Sequence, residues 1–381
     1  MGNEIGVRSI DGTTTRGFFK SGALLYCLKE AEGVQQGLQW DKQLEENEKR
    51  QVAKIRTISE SLFGDEGEGI LTTGDYQYKL QDGAATITRY IGPGGDVTVP
   101  ATLGGYRVTG MDQFAWDGIT KVTSITIPAS VTSLDRRAFY CCYGLTNVVL
   151  PASVTNIGWG AFMSGQSLAS IRVHPDNPVF SERGGVVFDK SGSTLLFYPM
   201  GKRGDYVIPE SVTNIGDWSF EGSDFLTNVV FGSRVSRIGN HAFMNCTELT
   251  DVTLPQTVTC IGTQAFHCCH GLRSFVVPDA VTRLEWDTFN YCMALESVVI
   301  GTNVCSIGRE VFAKCKALRS VYFKGDAPSL QEGVFNDTNA TIYYLPNAVG
   351  WDTTLWGTTF GGRPVAIWNP ETNNTTNAQS K

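Results

Sequence analysis

Between residues 226 and 317 a pattern of 23 residues recurs four times without a gap, reading L-x-x-V-x-I-P/G-x-x-V-x-x-I-G-x-x-A-F-x-x-C-x-x. The copies open at Leu226, Leu249, Leu272 and Leu295. Phe243, Phe266, Phe289 and Phe312 then share one register, as do Cys246, Cys269, Cys292 and Cys315. Such strictness in buried-type residues requires one supersecondary unit stacked on itself, because a single unit cannot bury its own apolar face. A stack also escapes the size limit of a single compact core, which 381 residues would otherwise exceed.

The spacing within a copy predicts the path of one coil. Leu295, Val298 and Ile300 lie three and then two residues apart, so Val298 and Ile300 point to the same side of a short strand. Gly301, a proline in other copies, ends that strand, Val304 and Ile307 lead the chain back, and Phe312 fills the centre. Strands of successive coils would pair in parallel about 4.8 Å apart. The expected fold is a repeat solenoid, a right-handed array with a parallel β-sheet on one face.

The same letters (L-x-x-V-x-I-P, V-T-x-I-G, A-F and then Cys) closely resemble the BspA-like, Treponema pallidum type of leucine-rich repeat proteins. That family was first known from Treponema and Bacteroides surface antigens, and the resemblance runs from about Tyr76 to Pro370. It implies bacterial cell-surface or secreted proteins that act in adhesion and bind host or extracellular-matrix proteins. The chain differs from that pattern in its first seventy-odd residues. There the apolar run 23–26 is cut short by Lys29 and Glu30, so no secretory signal or membrane span is read. A cytoplasmic location is the alternative.

Around the strict block the chain divides as follows. Residues 1–74 read as a small helical N-terminal segment and linker, with helices over 21–39 and 51–63 and a Gly/Asp/Glu-rich linker over 64–74. Residues 75–121 form an N-terminal cap and a worn first coil, in which Val108, Met111 and Ala115-Trp116 replace the later Val, Ile and Ala-Phe. Regular repeats fill 122–317, interrupted at about 174–205 by a segment that reads as a β-hairpin, with strands over 184–188 and 194–199. Residues 318–370 hold a last coil and an aromatic C-terminal cap including Trp351, Trp356 and Trp368, as an open stack requires a lid. Residues 371–381 read as a disordered polar tail.

Composition narrows the chemistry. A net charge of -7 without a basic run disfavours nucleic acid, which needs phosphate-neutralising Lys and Arg. The Cys column, joined by Cys142, reads as stacked buried thiols packing like small apolar side chains. His267-Cys268-Cys269-His270 lacks the spacing of a zinc site, since neighbours that alternate in direction do not converge on one ion. No nucleophile elbow, phosphate-cradling loop or helical metal motif appears, so neither cofactor nor metal is expected and the chain reads as non-enzymatic.

Binding is expected on the outward strand position between the two inward ones. Successive coils place there Thr126, Val149, Arg172, Val207, Val230, Thr253, Val276, Val299 and Tyr322, rimmed by Asn147, Asn228, Asp251 and Ser274. β-Branched residues suit any exposed strand, yet an apolar stripe of this length also fits an extended protein or glycan partner. The alternative role is an intracellular scaffold or effector whose N-terminal helices recruit a second partner.

Overall fold

The three-then-two spacing of Leu, Val and Ile becomes a short strand in each regular coil, for example Asn147–Leu150, Leu226–Val230 and Ser297–Ile300. The structure is a computed structural model that describes residues 69–351 and 359–370, together with the backbone of Ile5–Arg8 and Thr14–Gly17. The chain comprises two compact units, Met1–Gly67 and Glu68–Lys381. In the first, Ile5–Arg8 and Thr14–Gly17 pair antiparallel. The helices expected over 21–39 and 51–63 lie outside the described residues.

In the second unit the long strands stack in parallel with unshifted register over most pairs. Val148 sits opposite Ile125 and Ile171, and Val298 opposite Phe275 and Val321, all facing inward and fully buried. A second parallel ladder, which the spacing did not predict, forms where the chain was expected only to turn back. It is built of two-residue strands such as Asn214–Ile215, Arg237–Ile238 and Cys260–Ile261. The Thr/Ser before each supports it: the Thr259 hydroxyl donates to the Ser236 carbonyl at 3.3 Å and the Ser236 hydroxyl to Thr213 at 3.2 Å. The repeat glycine that follows permits the close approach of coils. A Cβ at Gly262 would stand 2.6 Å from the backbone nitrogen of Asn240.

The third side of each coil carries residues of positive φ in two columns 23 residues apart, running through His241, Gln264, Asp287 and Glu310 and through Asn245, Cys268, Tyr291 and Lys314. This conformation aims amides at the next coil, so His241, Phe243 and Asn245 donate to the carbonyls of Thr263, Ala265 and His267. Between these turns and the sheets lies the ring column. Phe220, Phe243, Phe266, Phe289, Phe312 and Phe335 stack face to face with centroids 4.6–5.7 Å apart, near the spacing that the strand ladder imposes. The column thus fills the axis at one ring per coil. Thiols of the Cys column donate to the ring residue of the preceding coil, Cys246 to Phe220, Cys269 to Phe243 and Cys292 to Phe266, each at 3.1 Å.

The worn first coil fits the same scheme, with Met111 paired to Leu134 and Trp116 stacked on Phe139. Part of the expected linker is structured instead: Leu71–Thr73 pairs antiparallel with Tyr76–Gln81, because its extended backbone completes an otherwise open sheet edge. The insertion contains the expected hairpin, Val186–Asp189 against Thr194–Phe197, and an unforeseen third strand, Phe180–Arg183. Thr194–Phe197 then joins the second ladder through Asn214–Ile215, so the insertion continues the stack. At the far end Trp351 and Phe360 are buried over the last layer, and the Trp351 indole N–H donates to the Gly325 carbonyl at 3.1 Å. Thr341–Tyr344 and Arg363–Ile367 are further ladder strands, while Trp356 and residues 371–381 lie outside the described residues.

Candidate functional site

The outward strand positions form a face two residues wide. Its apolar column is aligned by backbone pairing in three runs: Thr126–Val149–Arg172, Val207–Val230–Thr253, and Val276–Val299–Tyr322. Pairing extends the first run back to Thr98 and the last onward to Tyr343 and Ala366. Sequence reasoning missed these three because they lie outside the regular repeats, although the alternation in Thr341-Ile342-Tyr343-Tyr344 carries the same inward-outward signal.

Four of the five valines of the column are well exposed: 41% at Val149, 65% at Val207, 49% at Val230 and 48% at Val276. Thr126, Arg172 and Thr253 are also exposed, whereas Val299 and Tyr322 are half-buried. Tyr322 is covered by Tyr343, stacked at 4.9 Å, and by Trp368 at 5.1 Å. Trp368, expected in the terminal lid, therefore faces outward beside Tyr322. The stripe ends in an aromatic group.

Beside the valines runs a polar column. Asn147 pairs with Ser124 and Ser170, Asn228 with Asp251, and Ser274 with Ser297. Aspartates stand at the start of two runs. Asp96 accepts from the hydroxyls of Ser124 at 2.7 Å and Thr123 at 2.8 Å, bonds that hold its carboxyl below the usual range. Asp205 accepts from Thr227 at 2.7 Å. The face thus offers exposed apolar side chains flanked by hydrogen-bonding groups.

The cysteine and histidine candidates stay apart. Cys269 is committed to the Phe243 carbonyl, and His270 Nδ1 lies 2.9 Å from the Tyr291 carbonyl. Among the described residues no three His, Cys, Asp or Glu side chains are grouped to hold a metal ion. The described cysteines, Cys141 and Cys142 among them, are free thiols.

The BspA type leucine rich repeat region matches residues 104–191, 195–296 and 284–351, in six copies and over more than half of the sequence. The chain belongs to the BspA-type leucine-rich repeat family. A leucine-rich repeat protein from Eubacterium ventriosum shares the fold, with 18% identity, a TM-score of 0.52, and alignment over 77% of this chain and 98% of that one. Two other solved structures are similar over most of their own lengths. The pneumococcal vaccine antigen PcpA has 17% identity and a TM-score of 0.49, covering 79% of this chain and 99% of its own. The leucine-rich repeat protein of T. pallidum has 26% identity and a TM-score of 0.30, covering 65% and 90%. No curated protein matches the chain. Among the described residues of this BspA-type chain, no helix is long and apolar enough to cross a membrane.

Proposed function

We propose that this BspA-type array is a non-enzymatic protein-binding module whose outward strand face is the contact surface, working at the bacterial surface in adhesion to host or extracellular-matrix protein. The supporting observation is the exposure of Val149, Val207, Val230 and Val276 on ladder-fixed strands. Their backbones are already ordered, so a partner covering them meets a preorganised surface and little ordering entropy opposes binding. The neighbouring Asn, Asp and Ser column supplies hydrogen-bond partners at the rim. Family membership favours this role over catalysis, since its shared feature is the array itself.

The test is binding of the purified chain to an immobilised panel of extracellular-matrix proteins. At least one is bound saturably, and adding Val230→Lys or Val276→Lys removes that binding at unchanged melting temperature. Saturable binding that survives both substitutions excludes this face.

A further inference from the structure

The insertion leaves a cavity of about 220 Å³ between the early coils and the later ones. Elsewhere neighbouring rings stack face to face at every coil, Phe139 on Phe162 at 5.2 Å and Phe220 on Phe243 at 4.6 Å. At the insertion the series breaks. Phe162 meets Phe197 edge-on at 5.4 Å, and Phe220 is covered by Tyr198 at 4.8 Å. The apolar core correspondingly falls into two clusters, one reaching Val187 and the other starting at Val186. The space between is walled by Phe162, Ile171, Phe180, Leu196, Phe197 and Met200. Leu196 and Phe197 remain half-buried although they face apolar neighbours.

The mouth has a different chemistry. Trp159 and Trp218 both line the cavity, and their rings meet edge to face at 5.0 Å across the breach. The Arg137 guanidinium lies over the Trp159 ring at 4.6 Å, and the His241 ring stacks on Trp218 at 3.7 Å. The aromatic pair is therefore held in place from both sides. Two carboxylates complete the lining: Asp217, which is exposed, and Glu221, which is only 5% exposed. Asp217 accepts the Asn240 backbone N–H at 2.8 Å, and a carboxylate has capacity for further donors beyond the contacts it makes within the fold.

We infer that this cavity is a binding site for a small arylalkylamine, an aromatic ring carrying a short cationic arm. An apolar cavity of about 150 Å³ admits a benzene ring, so this one holds a ring with a side arm. The ring covers the walls of Leu196, Phe197 and Phe162, and the ammonium lies beside the exposed Asp217 carboxylate, because Arg137 and His241 already cover faces of Trp159 and Trp218. An anionic arm would face the exposed Asp217 carboxylate and be repelled. The inference stands apart from the strand-face proposal, since it involves none of the outward valines.

Isothermal titration of the full chain with tryptamine, indole-3-acetate and indole tests it. Tryptamine binds at one site, and indole-3-acetate binds about tenfold more weakly or worse. Cavity-filling Leu196→Trp weakens tryptamine by about tenfold or more while the melting temperature holds, and Ala161→Leu serves the same purpose if the larger substitution disturbs folding. The double variant Asp217→Asn/Glu221→Gln narrows the gap between tryptamine and indole-3-acetate. Absence of saturable tryptamine binding, or equal affinity in the wild type and a folded cavity-filled variant, overturns the site. Indole or indole-3-acetate binding as tightly as tryptamine overturns the cationic arm.

Discussion

The thiol of Cys269 is fully buried, donates to the Phe243 carbonyl, and has its pKa raised by desolvation. Burial has the same effect at Cys142, Cys246 and Cys292. These thiols are protonated and shielded, so alkylation mapped by mass spectrometry labels exposed Cys305 in the native protein and the column only after unfolding. Native-state labelling of Cys246 or Cys292 at the Cys305 rate would contradict the packing. The raised values also set a pH dependence. An unfolded thiol ionises near about pH 8.5, so above that pH the unfolded chain binds fewer protons than the folded one. The thiol contribution to stability is therefore complete below about pH 8.5 and is lost progressively as pH rises toward the raised folded values. Urea denaturation from pH 7 to pH 10 checks this, and replacing Cys246 and Cys292 with Ala flattens the decline.

At the scale of the coil, the repeat glycine has a packing role that the pattern alone does not explain. A methyl at Gly262 meets the backbone of Gly239 and Asn240 at 2.6–2.7 Å, so Gly262→Ala forces two coils apart and costs about 1–3 kcal/mol in denaturant titration. No loss would show that the coils separate freely there. Inward letters such as Val298, Phe312 and Cys315 could be placed from their period because burial constrains residue type. The second ladder could not, since Arg237-Ile238 and Cys260-Ile261 are too short to show alternation and are ordered by their neighbours. Nor could the positive-φ columns, where His241, Gln264, Asp287 and Glu310 stand in a conformation usually marked by glycine. Hydrogen bonds to the next coil hold them there. Strand Phe180–Arg183 escaped for a related reason: its pairing with Val186–Asp189 is seen only once the hairpin is folded. Of the candidate site, the order of the outward column was readable from the repeat phase, but the covering of Tyr322 by Trp368 was not, because those residues lie in different coils.

Over the whole array, stability is a sum of nearest-neighbour contacts, and the divided core predicts that it is uneven. Hydrogen exchange should be slowest through the strict repeats of 226–317, where the ring column is unbroken, and faster around 194–200, where the stack is interrupted. Uniform protection across both regions would contradict the two-cluster description. The same division of labour separates inward residues, which carry the folding energy, from the exposed valines Val149, Val207, Val230 and Val276, which bury little of their surface. Replacing an exposed strand valine shifts stability by no more than about 0.5 kcal/mol. The most direct measurement is binding of the Val230→Lys/Val276→Lys variant to an extracellular-matrix protein that the wild type binds, with melting temperature recorded on the same samples. A binding role for the strand face requires an unchanged melt and lost binding. Retained binding, or a melt lowered by many degrees, would contradict it.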